Sequence, residues 1–325
     1  MIKAGIIGGS GYTAGELLRL LVHHPNVNID FVYSTTNAGS SIAKQHPDLV
    51  GELDQEFTDT INPNIDVLFL CLGHGRSRAF LEQHSFSETT GIIDLGNDFR
   101  LTNDSQFQDK TFVYGLPELQ KNAIQEAHYI ANPGCFATAI QLALLPLAKH
   151  QYIKDAVHIN ATTGSTGAGV MPVGTTHFSW RDNNFSSYKV FTHQHIQEIE
   201  QSMAMLQQDM KAPIFFIPNR GNFSKGIYAT IYTAFDGTEE EAITMYKEYY
   251  KDAEFTVVST QEIHLKQVVN TNKCILHVAK KNGMIVITSV IDNLIKGASG
   301  QAIHNMNLMF GLEEKQGLRL KASAF

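Results

Sequence analysis

Cys135 has the sequence surroundings of a nucleophilic thiol. It follows an Asn-Pro-Gly chain break and starts an apolar run, 135–145, that predicts a helix. The unpaired N–H groups and the positive dipole end of a helix N-terminus stabilise a thiolate, which lowers the pKa of the thiol. The alternative for this residue is a small buried side chain that only packs. Cys71 and Cys274 lie inside apolar strand-like segments, and we expect both in the core.

Two histidines, His193 and His195, stand just before a predicted helix. They could bind zinc, but no third ligand follows at metal spacing, so we expect no metal and favour an acid/base pair. Arg100 follows the fourth predicted strand, at the edge where doubly wound sheets bind ligands, and can hold a carboxylate or a phosphate. A surface salt bridge is its alternative. Most other histidines, such as His23 and His24, are expected at the solvated surface.

A glycine-rich turn lies between the first predicted strand and the first predicted helix. Gly8, Gly11 and Gly15 would let backbone N–H groups approach a pyrophosphate, whose charge the helix N-terminus favours. The spacing is G-x-x-G-x-x-x-G and not G-x-G-x-x-G, so a tight turn without a ligand is the alternative. The second strand ends in Ser34, Thr35 and a further threonine, where an NAD site normally carries a carboxylate. Neutral hydroxyls there favour the 2′-phosphate of NADP.

The elements that must position these residues fall into two architectures. Strands spaced by helices or loops predict a parallel, doubly wound α/β sheet in the first half, at 2–7, 29–33, 67–72 and 91–95. Beyond about residue 157 the strand-like segments follow one another closely and predict a mostly antiparallel sheet, hence an α+β half. A helix over 302–311 can return to pack on the first domain. The coil-rich segment 164–191 is long enough to suggest a functional loop.

Composition excludes several classes of protein. Hydrophobic residues make up 43% and charged residues 18% of the 325, which indicates a globular protein with a substantial core. The net charge of −7 without a basic run argues against nucleic acid, and no apolar run approaches the ~20 residues that cross a bilayer. Three cysteines without a Cys-x-x-Cys pair exclude a disulfide framework. Because the N-terminus lacks signal-peptide character, we expect a cytoplasmic protein.

Taken in order, these motifs resemble the N-acetyl-gamma-glutamyl-phosphate reductase family over essentially the whole chain. The resemblance rests on Gly8-Gly9-Ser10-Gly11-Tyr12-Thr13-Ala14-Gly15, Asp98-Phe99-Arg100, Tyr114-Gly115-Leu116-Pro117-Glu118, Asn132-Pro133-Gly134-Cys135, Thr163-Gly164-Ser165-Thr166-Gly167-Ala168-Gly169, Tyr188-Lys189-Val190, His193-Gln194-His195, Pro218-Asn219-Arg220-Gly221 and Ile291-Asp292-Asn293-Leu294-Ile295-Lys296-Gly297-Ala298-Ser299-Gly300. It implies NADPH-dependent reduction of N-acetyl-L-glutamyl 5-phosphate to N-acetyl-L-glutamate 5-semialdehyde and inorganic phosphate, in arginine biosynthesis.

Two related families and one different class are the alternatives. Aspartate-semialdehyde dehydrogenase and phosphorylating glyceraldehyde-3-phosphate dehydrogenase run similar chemistry, but their cysteine is typically followed by Ser or Thr, whereas Phe136 follows it here. A regulator that binds the nucleotide without catalysis would not need the thiol and the histidines. Four positions depart from the family pattern, and one of them, Val170 in place of an arginine, removes a cation near a phosphorylated substrate.

The resemblance also implies roles and domains. Cys135 forms a thioester, His195 moves the proton and His193 assists. Substrate-binding residues are Arg100, Tyr188, Asn132 and Ser165; cofactor-binding residues are Gly8, Ser10, Gly11, Tyr12, Thr13, Ser34, Thr35, Gly75, Gly167 and Asn293. The NADP-binding domain is discontinuous, 1–134 with 297–325, and 135–296 forms the catalytic and oligomerisation domain. Homodimer and homotetramer both remain open.

Overall fold

The computed structural model describes residues 1–323, which separate into two compact units. The first unit contains 1–133 and 298–319, and the second contains 134–297 and 320–323. The last two residues of the predicted 297–325 segment lie outside the described residues.

Strands and helices are interspersed along both units. The strands are β1 (Ile2–Ile7), β2 (Val27–Tyr33), β3 (Val67–Leu70), β4 (Gly91–Asp94), β5 (Gln106–Phe107), β6 (Lys110–Thr111), β7 (Val113–Tyr114), β8 (Tyr129–Ala131), β9 (Val157–Thr163), β10 (Ser186–Ser187), β11 (Ile214–Arg220), β12 (Ile227–Ala234), β13 (Thr256–Ser259), β14 (Cys274–Lys281) and β15 (Met284–Ile291). The helices are α1 (Tyr12–Leu21), α2 (Ile42–Gln45), α3 (Ser77–Gln83), α4 (Pro117–Gln125), α5 (Cys135–Lys149), α6 (Phe178–Arg181), α7 (His195–Leu206), α8 (Glu239–Tyr249) and α9 (Gly300–Met309).

A parallel six-stranded sheet is the framework of the first unit. Its strand order is β2-β1-β3-β4-β8-β7, and every neighbouring pair is parallel. Strand β3 is apolar and buried at all four positions, which is typical of a strand covered on both faces. Helix α9 packs on α1 and α4. The loops that follow β1, β2, β3 and β4 meet at the carboxyl edge of the sheet, where doubly wound folds bind ligands.

A seven-stranded sheet is the framework of the second unit. Its order is β10-β11-β9-β12-β15-β14-β13, with two parallel pairs, β9/β11 and β13/β14, and antiparallel pairs elsewhere. Helices α5, α7 and α8 pack against it. Burial alternates along β12, as expected for a sheet with one covered face and one open face. The predicted combination of an α/β unit and a mostly antiparallel α+β unit is therefore confirmed.

Helix α5 is longer than predicted because it continues through Pro146. Proline has no N–H group, so the carbonyl of Leu142 lacks the helical hydrogen bond that residue 146 would donate. The Tyr250 hydroxyl donates to this carbonyl instead, and the Tyr246 hydroxyl donates to the carbonyl of Ala143. Hydroxyls from a distant part of the chain thus satisfy the carbonyls around the proline.

His24 is not at the surface, and the prediction for it is wrong. Its side chain is buried, and its Nε2 lies 3.0 Å from Oδ1 of Asn307 on α9. Burial lowers the pKa of His24, while the hydrogen bond to Asn307 opposes that change. His23, one position earlier, is exposed as predicted. In the described residues no helix is long and apolar enough to cross a membrane.

Candidate active site

Cys135 is the first residue of α5, directly after the N-cap Gly134. Gly297 packs directly against Cys135. A Cβ added to Gly297 would lie 2.7 Å from Cβ of Cys135 and 3.1 Å from its Cα. Real carbon atoms do not approach so closely, so only glycine fits at position 297. Cys135 therefore lies at a helix N-terminus, as predicted, and it is half-buried.

Glu198 connects the start of α5 to the histidines. Its Oε2 accepts the N–H of Gly134 at 3.0 Å, and its Oε1 lies 3.9 Å from Nε2 of His195. Both side chains are buried. The pair is one helical turn apart on α7, and the carboxylate also fixes the turn before Cys135. Glu198 was not among the residues predicted from the sequence, although a His-x-x-Glu spacing at a helix start pairs it with His195.

His193 and His195 form one packed group of rings. Nδ1 of His193 accepts the backbone N–H of His195 at 3.2 Å, and the two ring centroids are 4.6 Å apart. Phe136, the residue after the cysteine, contacts both imidazoles edge-on, at centroid distances of 5.5 and 6.3 Å. Both histidines are 5% exposed, which restricts their rotation. The structure therefore brings the two predicted acid/base residues to the start of the cysteine helix.

Tyr188 belongs to the same group. Its ring centroid is 5.8 Å from that of His193, and the guanidinium carbon of Arg220 lies 4.4 Å from its centroid. Burial raises the pKa of Tyr188 above its ordinary value, and the charge of Cys135 acts in the same direction, whereas Arg220 lowers it. The phenol therefore stays protonated at neutral pH and can donate a hydrogen bond.

The other two cysteines are poor nucleophiles. Burial raises the pKa of the Cys71 thiol, and the Asp94 carboxylate adds to that effect. Cys274 is buried in β14 with its Sγ 3.6 Å from Oγ of Ser289. Cys274 is therefore in the core as expected, whereas the expectation for Cys71 is wrong: β3 ends at Leu70, and Cys71 follows it half-buried.

Arg100 and Asn132 stabilise the first unit through backbone contacts. Arg100 is 5% exposed, so a surface salt bridge is excluded as its role. Its Nε donates to the carbonyl of Asn132 at 2.9 Å and its Nη2 to that of Leu95 at 3.2 Å. The Asn132 amide donates to the carbonyl of Ala298 at 3.0 Å and accepts from Asn305 at 3.1 Å. Contact of either residue with substrate stays a prediction.

Ser165, Gly167 and Asn293 lie together in the second unit, in and around the turn after β9. The backbone N–H of Ser165 donates to the carbonyl of Phe223 at 2.9 Å. Oδ1 of Asn293 accepts the N–H of Gly226 at 2.6 Å, and its Nδ2 donates to Oγ1 of Thr166 at 3.1 Å. The Asn293 amide therefore holds this turn, and a direct cofactor contact by Gly167 or Asn293 stays a prediction.

The glycine loop fits a dinucleotide phosphate. Gly8 has φ +80°, and a Cβ there would lie 2.6 Å from the Cys71 carbonyl oxygen, so the tight turn requires glycine. Gly11 is the N-cap of α1. Gly15 was expected to make room for phosphate, but it makes room for the His46 side chain instead. A Cβ at position 15 would lie 2.6 Å from Nδ1 of His46. Ser10 lies in the turn, and Tyr12 and Thr13 are the first two residues of α1, so all three stand at the helix N-terminus.

The residues after β2 form a cluster of hydroxyls at the same sheet edge. Oγ of Ser34 accepts from Nδ2 of Asn37 at 3.2 Å, and Oγ1 of Thr36 accepts from the same amide at 3.1 Å. Thr35 is exposed beside them. Residues 34–37 contain no carboxylate, so the ribose end of a dinucleotide would meet neutral donors. Gly75, also exposed, donates its N–H to Oδ2 of Asp98 at 2.9 Å after β3.

Comparisons with known proteins agree with this division into a nucleotide unit and a cysteine unit. Residues 3–127 match the semialdehyde dehydrogenase NAD binding domain, and residues 135–293 match the semialdehyde dehydrogenase dimerisation domain. Aspartate semialdehyde dehydrogenase II from Vibrio cholerae shares the fold, with a TM-score of 0.70 and 15% identity over 96% of this chain and 99% of that chain. The Candida albicans aspartate semialdehyde dehydrogenase, solved with NADP, has a TM-score of 0.65 and 13% identity over 95% and 98% of the two chains. The fold and the site thus define an oxidoreductase of the semialdehyde dehydrogenase class with a nicotinamide dinucleotide cofactor.

Relatives with higher sequence identity show which family within this class the chain belongs to. N-acetyl-gamma-glutamyl-phosphate reductases from Flavobacterium johnsoniae and Christiangramia forsetii are each 61% identical over 325 residues, which is the full length of both chains. That from Bacteroides fragilis is 55% identical over 326 residues, again at full coverage. The chain belongs to the N-acetyl-gamma-glutamyl-phosphate reductase family, and the resemblance stated from the motifs is confirmed.

Proposed function

We propose that this protein reduces N-acetyl-L-glutamyl 5-phosphate to N-acetyl-L-glutamate 5-semialdehyde and phosphate with NADPH, a step of arginine biosynthesis. One observation carries the proposal: Cys135 begins a buried helix beside His195 and Glu198, in a chain 61% identical from end to end to reductases of that name. A helix N-terminus stabilises a thiolate, and a thiolate suits an acyl phosphate because phosphate is a good leaving group.

The proposed reaction begins at the sulfur. The Cys135 thiolate forms a bond to the acyl carbon, the bond from that carbon to the phosphate oxygen breaks, and phosphate leaves with the electron pair. The acyl group is then held as a thioester. When bound, the reduced nicotinamide supplies the hydride that this carbon needs. The carbon–sulfur bond finally breaks, the aldehyde leaves, and Cys135 is again a thiolate.

The side chains around Cys135 transfer the proton and position the group that carries it. The thiohemiacetal oxygen takes a proton from the His195 imidazolium as it forms, and the same imidazole takes that proton back as the aldehyde is released, so the protonation state of His195 is restored. Glu198, 3.9 Å from His195 Nε2, stabilises the imidazolium that results. His193 uses Nδ1 to hold the His195 backbone, so it positions the second ring. Tyr188, protonated, orients the substrate or the histidines.

The cofactor preference follows from the cluster after β2. Ser34, Thr36 and Asn37 offer hydroxyl and amide donors without a carboxylate, which suits a 2′-phosphate and supports NADPH over NADH. The expected cytoplasmic location stays a prediction.

The open face of the second sheet is the proposed contact between subunits. His158 stacks between Phe215 and Tyr232, at centroid distances of 5.5 and 5.0 Å, and both aromatic residues are exposed. A row of exposed aromatic rings is typical of an interface core, and the match to a dimerisation domain supports a homo-oligomer. Tyr232→Glu should therefore lower the mass found by analytical ultracentrifugation, and an unchanged mass would place the interface elsewhere.

The assay is reduction of NADP⁺ with N-acetyl-L-glutamate 5-semialdehyde and phosphate, run beside L-aspartate 4-semialdehyde. We expect kcat/KM to favour the acetylated substrate by orders of magnitude. A preference for aspartate semialdehyde, or no turnover of either aldehyde by folded protein, would overturn the proposal.

A further inference from the structure

Arg181 is buried with donors that have no partner. It ends α6, inside the long irregular segment between β9 and β11, and is only 7% exposed. Its Nη2 donates to the carbonyl of Gly221. Its Nε and Nη1 are also buried, and within residues 1–323 neither has a hydrogen-bond partner. Leaving charged donors unsatisfied away from water is costly, so a ligand that accepts from them is the natural explanation.

A second arginine stands next to the first. Arg220 directly precedes Gly221, whose carbonyl accepts the hydrogen bond from Arg181. Nη1 of Arg220 donates to Oγ1 of Thr175 at 3.1 Å. Neither arginine forms an ion pair with a carboxylate of the described chain. Desolvation lowers the pKa of Arg181, and repulsion from Arg220 adds to this. Two guanidinium groups are therefore held together without a counter-charge.

The two arginines are connected to Cys135 through Tyr188. The Arg220 guanidinium carbon lies 4.4 Å from the centroid of the Tyr188 ring, and that ring lies 5.8 Å from the His193 ring, centroid to centroid. His193 contacts Phe136, the residue after Cys135, edge-on. These residues all belong to the second unit, and their rings lead from the cationic pair to the start of the cysteine helix.

We propose that Arg181 and Arg220 form a binding site for an oxyanion of the reactants, a phosphate or a carboxylate, beside Cys135. The planar fork of a guanidinium can donate two parallel hydrogen bonds to either group, and an anion would partner the buried Nε and Nη1 of Arg181 and offset the repulsion from Arg220. This inference rests on the proposed function for the identity of the anion, but not for the existence of the site.

The first test does not require catalysis. Cys135 is alkylated with iodoacetate, an anion, and with iodoacetamide, which is neutral, and the labelled peptide is identified by mass spectrometry. In wild type we expect iodoacetate to be favoured and inorganic phosphate to slow its reaction. Arg181→Gln should lower the iodoacetate-to-iodoacetamide rate ratio about tenfold and remove the protection by phosphate.

Two further variants keep this test decisive. Lys251→Gln removes a positive charge from an exposed site paired with Glu248 and should leave the ratio unchanged. Arg181→Lys keeps the charge but loses the planar fork of the guanidinium, so an intermediate rate ratio is expected.

Phosphate should raise the Tm of wild type and not that of Arg181→Gln. An unchanged ratio together with intact phosphate protection in Arg181→Gln and in Arg220→Gln would overturn the proposal.

Steady-state kinetics then separate the two sources of the anion. If the site holds phosphate, Arg181→Gln raises KM for inorganic phosphate in the oxidative direction by roughly 10- to 100-fold and leaves KM for the semialdehyde near its wild-type value. If it holds the substrate carboxylate, KM for the semialdehyde rises instead, and 4-acetamidobutanal, which lacks that carboxylate, is handled equally by wild type and variant. Unchanged KM values for both would contradict the site. Failure of wild type to turn over the semialdehyde would refute only the proposed function, because the alkylation test remains.

Discussion

Replacing Gly297 by alanine should disable the thiol through geometry alone. The added Cβ would lie 2.7 Å from Cβ of Cys135, about 1 Å short of ordinary carbon–carbon contact. Gly297 has no positive φ, so backbone strain is not part of the effect. The start of α5 must therefore move by roughly that distance, and displacement of about 1 Å at a reacting group costs about 10²-fold in rate. Overpacking should also cost about 1–3 kcal/mol of folding free energy.

The assay is kcat in the oxidative direction, with Tm measured in parallel. Gly174→Ala is the matched control, because a Cβ there meets nothing within 4 Å, and it should have wild-type kcat. The destabilisation by Gly297→Ala should be smaller in a Cys135→Gly background, since the nearest clashing atom is then absent. A Gly297→Ala variant with kcat within twofold of wild type would show that the position of the thiol does not depend on glycine at 297.

Four further substitutions test the roles of the histidines, the cofactor preference and the support of α5. His195→Asn should lower kcat by roughly 10²–10⁴-fold through loss of the acid/base group, whereas His193→Asn should act more on KM. Ser34→Asp should shift the ratio of kcat/KM for NADPH and NADH toward NADH, because a carboxylate repels the 2′-phosphate by a few kcal/mol at intermediate dielectric. Tyr250→Phe should lower the free energy of unfolding in urea by about 1–3 kcal/mol, since the buried Leu142 carbonyl loses the hydroxyl that donates to it.

Each of these predictions has an outcome that would contradict it. Equal, mild losses in both histidine variants would remove the division of roles between them. A cofactor ratio that does not move in Ser34→Asp at fixed ionic strength would place the ribose elsewhere. For the tyrosine, a Tyr250→Phe variant as stable as wild type would exclude the proposed support of the carbonyl before Pro146.

The sequence was most informative where local chemistry decides the structure. The glycine loop after β1 and the helix that starts at Cys135 follow from short-range signals, namely glycine spacing, a chain break and apolar periodicity. The close succession of strand-like segments after about residue 157 likewise predicted a second, mostly antiparallel sheet. These features do not depend on which distant residues come together.

Long-range contacts were not predictable from such signals. Glu198 reaches Gly134 across more than sixty positions, and Gly297 meets Cys135 across an even longer separation, so neither role is visible in local patterns. Arg181 lies in an irregular segment where nothing marks it as buried. Arg181 lies in the same irregular segment as Val170, the position where a cation was expected to be missing, and the proposed oxyanion site would supply a cation in its place.

In the proposed reaction an acyl group is held on the sulfur of Cys135, and mass spectrometry of the digested protein can detect it there. The protein is mixed with N-acetyl-L-glutamate 5-semialdehyde and NADP⁺ without phosphate, quenched in acid and digested. We expect an N-acetylglutamyl adduct on the peptide containing Cys135, released by phosphate or hydroxylamine before the quench and absent in Cys135→Ser. Formation of NADPH without any adduct, or an adduct on Cys71 or Cys274, would rule out a thioester on Cys135.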